Sequence, residues 1–330
     1  MLALSRLVII SLLASSAHAK KWEDPARGTL ITKFGFDTTT LEMNIQDKQD
    51  STVKKLNLKP NAPNKTFISL GYGIFSLSAG TANPTKPESD YLYGTSKATD
   101  FQFRFHFERW SAEFFYQDYI GYYLVNTGDI IPGFNSGAQQ RILYPELKTG
   151  HHGASFTYNL NSDHFSISGA FDQTARQKES GGAWLLNASA NNHMFKNPTS
   201  LVPSQIVGTY GQFENIRAGT VVTASVGGGG GYTVVYDGFF LGGIIMMNVG
   251  TQWQKLTKTD ESIETYNQSG VNSHVKIGLG YNGKNGITAF TLNGDTTNIR
   301  IKNAEMNMNT LQFTLNLGWR WEGMNIRLLD

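Results

Sequence analysis

The chain has no cysteine among its 330 residues. Disulfides are therefore excluded, even though the amino terminus suggests export, and stability has to come from backbone pairing and packing. The sequence is also short of hydrophobic runs. After Ala19 no stretch is long and apolar enough for a membrane helix, which needs about 20 such residues, and mean hydropathy is −0.29. Strong charge of either sign is missing as well. The formal net charge is +2, a near-neutral balance that gives no reason to expect nucleic acid as a partner. These absences do not exclude a membrane protein. A closed barrel satisfies every backbone polar group in its own ladder, and alternating strands keep average hydropathy low.

The first 19 residues read as a cleaved signal peptide. Arg6 supplies the positive charge, Leu7 to Ala14 the apolar core, and Ala17-His18-Ala19 a small-x-small cleavage site. The remaining residues, 20–330, are expected to form a single domain. Glycine is abundant, at 35 residues, and aromatics reach 12%.

Period-two patterning is the main signal. Phe101, Phe103, Phe105 and Phe107 fall on one face of a strand, and Gln102, Arg104, His106 and Glu108 on the other. A turn at Glu108-Arg109 sets Phe107 against Trp110, Phe105 against Ala112, Phe103 against Phe114 and Phe101 against Tyr116. The polar face then pairs Arg104 with Glu113 and His106 with Ser111. Like meets like on both faces, which fixes hairpin register.

Further hairpins are expected at His151 to Asp172 around Asn161-Ser162, at Asp237-Gly238, and at His274 to Asp295 around Asn282 to Gly286. The Asp-Gly pair is a favoured type I′ turn. A closing strand alternates Leu311, Phe313, Leu315, Leu317 and Trp319 with polar residues. Thr29 to Gln46 and Phe67 to Gly80 are the earlier candidates, the latter a tight hairpin at Tyr72-Gly73. Longer connections are expected near 82–98, 125–149, 196–217 and 257–271. Strand parity does not close between about 174 and 218. The expected fold is all-β: an antiparallel up-and-down transmembrane β-barrel of about 12 strands, with 14 the next count.

Several segments resemble the outer-membrane family catalogued as domain of unknown function 4421. They are LKPNAPNKTFISLGYGIFSLSAG from Leu58, TDFQFRFHFERWSAEFFYQDYIGYYL from Thr99 and YPELKTGHHGASFTYNLNSDHFSISGAFDQTARQKESGGAWLL from Tyr144. The resemblance implies an outer-membrane barrel without an established activity, and it brings no catalytic residues.

On the strand reading, Gln102, Arg104, His106, Glu108, Glu113 and Gln117 line the lumen. Phe101, Phe103, Phe105, Phe107, Trp110 and Phe114 face lipid. Either the polar set lines a conduit or it forms a salt-bridged plug; the second is favoured, because a 12-stranded barrel is narrow. From Phe239 to Val249 both faces are apolar, so Ile244 and Met246 need an apolar neighbour inside the barrel. Packed core meets that need most cheaply; a hydrophobic chamber for lipid or an apolar solute, or an oligomer contact, is the alternative. Gly227 to Gly231 lies within a β pattern and reads as a strand that allows close approach of another surface.

His164-x-Ser166 would put two side chains on one strand face, as in outer-membrane lipid hydrolases. Phe165 and Ile167 are expected to take the lipid face instead, so the polar pair reads as lumenal. No metal site or cofactor is expected. The expected function is an outer-membrane barrel of structural or transport type with a narrow or occluded lumen, in a Gram-negative bacterium, without enzyme activity. The alternatives are a lipid-modifying hydrolase using His164 and Ser166, and a barrel binding lipid or hydrophobic solute. Outer-membrane lipid and the outer-membrane assembly machinery are the expected partners, with a homo-oligomer left open.

Overall fold

A computed structural model describes residues 20–25, 28–47, 55–62, 64–206, 210, 213–301 and 304–324. The signal peptide expected over residues 1–19 lies outside the described residues. In chain order the strands are β1 (Trp22–Glu23), β2 (Leu30–Asp47), β3 (Leu56–Lys59), β4 (Asn64–Tyr72), β5 (Phe75–Ala82), β6 (Lys97–His106), β7 (Trp110–Leu124), β8 (Leu143–Asn159), β9 (Arg176–Gln177), β10 (Gly181–Lys196), β11 (Ile216–Tyr236), β12 (Phe239–Lys258), β13 (Ile263–Asn282), β14 (Gly286–Ile301) and β15 (Ala304–Trp321). One short helix, α1 (Pro87–Tyr93), lies between β5 and β6.

Twelve strands form a closed antiparallel ring, in which β15 returns to pair with β2 from Ala304↔Asp47 to Trp321↔Leu30. Closure removes the sheet edges, so every strand can exchange hydrogen bonds on both sides. β3 is a side strand. It bridges the upper part of β2 to the end of β7 above the short strands β4 to β6.

The β6–β7 hairpin has the register that like-with-like pairing dictates: Phe101↔Tyr116, Phe103↔Phe114, Arg104↔Glu113 and His106↔Ser111. Asp237 and Gly238 have φ of 47° and 81°, the left-handed pair of a type I′ turn, which matches the twist of the long strands they join. β13 and β14 pair His274 with Asp295 as the pattern requires.

Three expectations need correction. There is no hairpin at Asn161-Ser162. β8 pairs with β10 instead, Tyr158 opposite Leu186 and Phe156 opposite Ala188. Between them residues 160–180 fold into the barrel, so the stretch expected as a strand is a plug. With β8 followed directly by β10 in the ring, strand parity closes at twelve. Second, the connection near 257–271 is short, because β12 runs to Lys258 and β13 starts at Ile263. Third, the 125–149 connection ends at Leu143, where β8 begins.

The two ends differ. One carries the tight turns, the plug, and the outer ends of β2 and β15. The other carries the long connections, including 83–96, 125–142 and 197–215. Outward-facing Trp184, Tyr236, Phe239, Trp319 and Trp321 are exposed around the turn end. Ile245, Met247, Val249, Leu315 and Leu317 continue the apolar wall above them. An exposed aliphatic band with an aromatic rim is the surface hydrocarbon requires. Among the described residues no helix is long and apolar enough to cross a membrane.

Candidate functional site in the barrel interior

The plug enters after Asn159 and is built from a π-helical turn at Ser168–Asp172 flanked by irregular backbone. Phe165 and Ala170 are fully buried, and they pack with Phe171 against Leu185, Ile244 and Met246 of the wall. The wall makes room through glycine. A Cβ on Gly231 would lie 2.7 Å from the Phe165 ring, and one on Gly278 would lie 2.7 Å from the Ala170 carbonyl oxygen. These contacts account for Gly231 at the end of the glycine-rich run and for the inward apolar face of β12. Phe165 is therefore inside the barrel, and Ile167 lines the interior cavity. Neither faces lipid as the sequence suggested.

Polar pins hold the plug to the wall. Arg104 Nη1 is 3.1 Å from Asp172 Oδ1, and His106 Nε2 is 2.7 Å from Asp172 Oδ2. Lys33 Nζ donates to the Asp172 carbonyl at 2.6 Å. Arg320 donates to the carbonyls of Gly283 and Gln173 and to Asn282 Oδ1, each at 2.6 Å. Asn282 in turn donates to the Gly169 and Ala175 carbonyls at 3.1 and 3.0 Å. Irregular backbone inside a barrel cannot reach a ladder, so side chains have to satisfy its carbonyls. Below the plug, β1 and β9 form a separate two-stranded ribbon.

The long-connection end is filled differently. Met43, Ile45, Leu58, Leu124, Phe195, Leu256 and Met306 turn inward and are buried there with Leu201, Val202 and Phe213 from the 197–215 connection. Gly121, with φ of 88°, makes the bulge in β7; a Cβ there would lie 2.3 Å from the Thr95 carbonyl. Just below this apolar cap, Lys65 Nζ is 3.0 Å from Asp37 and 2.9 Å from Asp100.

Between cap and plug lies a polar chamber of about 160 Å³. Gln102, Arg104, His106, Glu113 and Gln117 line it, together with Asn187, Asn248, His274, Lys276, Asn293 and Asp295. A smaller cavity of about 70 Å³ adjoins it past Arg104, Phe171 and Asp172. The charges are arranged in pairs. Arg104 Nε is 2.9 Å from Glu113, Lys276 is 3.3 Å from the same carboxylate, and His274 contacts Asp295. Glu108 does not reach the chamber. It sits in the exposed β6–β7 turn, 3.3 Å from Lys20, because a turn residue cannot face a lumen that begins further up the strand.

Phe101, Phe107 and Phe114 are exposed on the outer wall, and Phe103 and Phe105 stack edge-to-face beside them at 4.5 Å. Trp110 stacks on Phe107 at 3.9 Å. His164 is half-buried, 2.9 Å from Asn161 Oδ1, whereas Ser166 is buried in the plug, 3.1 Å from Ser168 Oγ. The two do not share a strand face, and Asp172 is committed to Arg104. Sequence reading missed His193, whose buried ring stacks on His151 at 4.1 Å at the top of the chamber. The only available signal was its place in the alternation of β10. Among the described residues no group of three His, Asp or Glu side chains has metal-binding geometry.

A closed ring of amphipathic antiparallel strands, apolar outside and polar inside, defines an outer-membrane-type β-barrel. The chain belongs to the family described as Domain of unknown function (DUF4421), which matches residues 24–321. Solved structures of similar fold include the outer membrane protease OmpT from Escherichia coli, at 8% identity and TM-score 0.38, covering 90% of this chain and 98% of that one. The toluene transporter TodX of P. putida is 8% identical with TM-score 0.30, covering 90% and 91%. Ail of Yersinia pestis is 8% identical with TM-score 0.24, covering 89% and 99%. The comparison with curated proteins finds no match.

Proposed function

We propose that this chain is an outer-membrane barrel of a Gram-negative bacterium, exported by a signal peptide at residues 1–19, with a lumen that is closed at rest. Of the structural and transport readings, transport is the better supported. The observation that carries it is the polar chamber that lies between the Ser168–Asp172 plug and the apolar cap. A barrel built only as a scaffold gains nothing from burying paired charges, which cost desolvation that packed apolar side chains do not. The plug is also held by side-chain pins rather than by strand pairing with the ring, so it can move without breaking the wall. A lining of paired charges and amides suits water or a small neutral polar solute better than a free ion. The lipid-hydrolase and hydrophobic-chamber readings lack support: His164 and Ser166 are apart, and Phe165 fills the apolar corner at Ile244.

Planar-bilayer reconstitution tests this reading. Wild-type protein should show no steady current, and Arg104→Ala should show openings as the plug loosens. A stable open current through wild type would overturn it.

A further inference from the structure

Four lysines occupy the outer wall just beyond the apolar band, towards the long-connection end. Lys97, Lys148 and Lys196 fall in one cross-strand row: Lys97 pairs with Ile120, Ile120 with Lys148, and Lys148 with Lys196. The row continues to Ala218 and Thr257, and Lys255 lies one outward position below Thr257 on β12. All four side chains are exposed. None is paired with a carboxylate among the described residues. Adjacent strands are about 4.8 Å apart, so Lys97 to Lys196 spans roughly 14 Å.

This arrangement is unfavourable by itself. Lys148 and Lys196 are directly opposite each other on neighbouring strands, and like charges in that position repel. Nearby acids do not relieve it. Asp118, one outward position nearer the band, has Oδ1 2.7 Å from His152 Nε2 and accepts a hydrogen bond from Tyr116 on Oδ2 at 2.6 Å. Glu146, two residues from Lys148 on the same face, makes no ion pair with it. Among the described residues no carboxylate neutralises the row, which leaves it open to a counter-charge from outside the chain. The surface under the lysines says what carries it. Four residues further along the row, the same face presents Phe101 on β6, Tyr116 on β7, Val222 on β11 and Trp253 on β12, an apolar and aromatic wall on either side of His152 and Asn192, which lie under Lys148 and Lys196. Tyr and Trp mark the membrane interface, so the ammonium groups lie at headgroup height.

We propose that Lys97, Lys148, Lys196 and Lys255 form a binding site for the phosphates of an acylated, phosphorylated glycolipid in the outer leaflet. The site rests on the membrane placement proposed above, with the long-connection end outward. Lys148 and Lys196 grip one phosphate between them, which converts their mutual repulsion into shared attraction. Lys97 and Lys255 flank them on either side, at distances that suit a second phosphate on the same headgroup. Tyr116 and Trp253 take the glycosidic and upper acyl part.

The test uses purified full-length protein in neutral detergent. Binding is measured for a bis-phosphorylated acylated glucosamine disaccharide, for the same lipid with both phosphates removed, and for inorganic phosphate. The phosphorylated lipid should bind, the dephosphorylated lipid should not, and inorganic phosphate should not displace the lipid. K148Q combined with K196Q should weaken binding about 25-fold, since each headgroup-level lysine contributes about fivefold. K284Q, at the opposite end of the barrel, should leave it unchanged. Heat-modifiable migration of each variant shows that the barrel has formed. Equal binding of the dephosphorylated lipid, competition by inorganic phosphate, or a folded double variant that binds normally would each overturn the site. Membrane fractionation of cells tests the placement separately, so failure of one is not read as failure of the other.

Discussion

Arg104 Nη1 lies 3.1 Å from Asp172 Oδ1, and this contact joins the barrel wall to the segment that fills it. Both groups are shielded from solvent, with side-chain exposures of 14% and 11%. Breaking such a pair from one side leaves an uncompensated charge and costs about 3–5 kcal/mol. Arg104→Met should therefore be strongly destabilising. Asp172→Asn added to it should recover part of the loss, with a coupling energy of about 1–3 kcal/mol. Urea unfolding of the four proteins in the cycle checks this, and additive effects would mean that the pair does not tie plug to wall.

A second prediction concerns the space under the plug. A side chain at Gly231 would collide with Phe165, so Gly231→Val should cost about 1–3 kcal/mol by overpacking. Phe165→Ala in the same chain should restore most of it, although alone it leaves a cavity. Two losses that simply sum would show that Phe165 does not sit over Gly231.

The hairpin at Phe101–Tyr116 was legible in the sequence because both faces are chemically pure, so only one register matches aromatic to aromatic and Arg104 to Glu113. The closing strand and the Asp237-Gly238 turn were legible for similar reasons. The plug was not. Phe165 and Ile167 alternate with polar residues over a stretch as short as a strand, and local alternation cannot distinguish a lipid face from an interior one. The indication lay elsewhere in the chain: Ile244 and Met246 needed an apolar partner inside, and Gly231 left room for it. The β12–β13 connection was misread because Thr257 to Gly270 is polar on both faces except at Ile263 and Tyr266. Strands that project beyond the bilayer lose the apolar half of their pattern.

Lipid-facing and lumen-facing positions should respond differently to charge. Ile245 is exposed on the outer wall midway between Phe239 and Trp253 of the same strand. Ile245→Arg should cost about 2–4 kcal/mol for folding into liposomes, as arginine does near the bilayer midplane. Asn293→Arg, in the chamber wall, should cost much less because the new charge meets water and carboxylates.

Because the protein has no cysteine, single spin labels can be placed one at a time along Phe101 to His106 in bilayers. Labels at 101, 103 and 105 should collide with oxygen dissolved in the acyl chains, and labels at 102, 104 and 106 should be shielded from it. A flat profile, or one with the two sets exchanged, would contradict a barrel that turns its phenylalanines to the membrane and its charges to a closed interior.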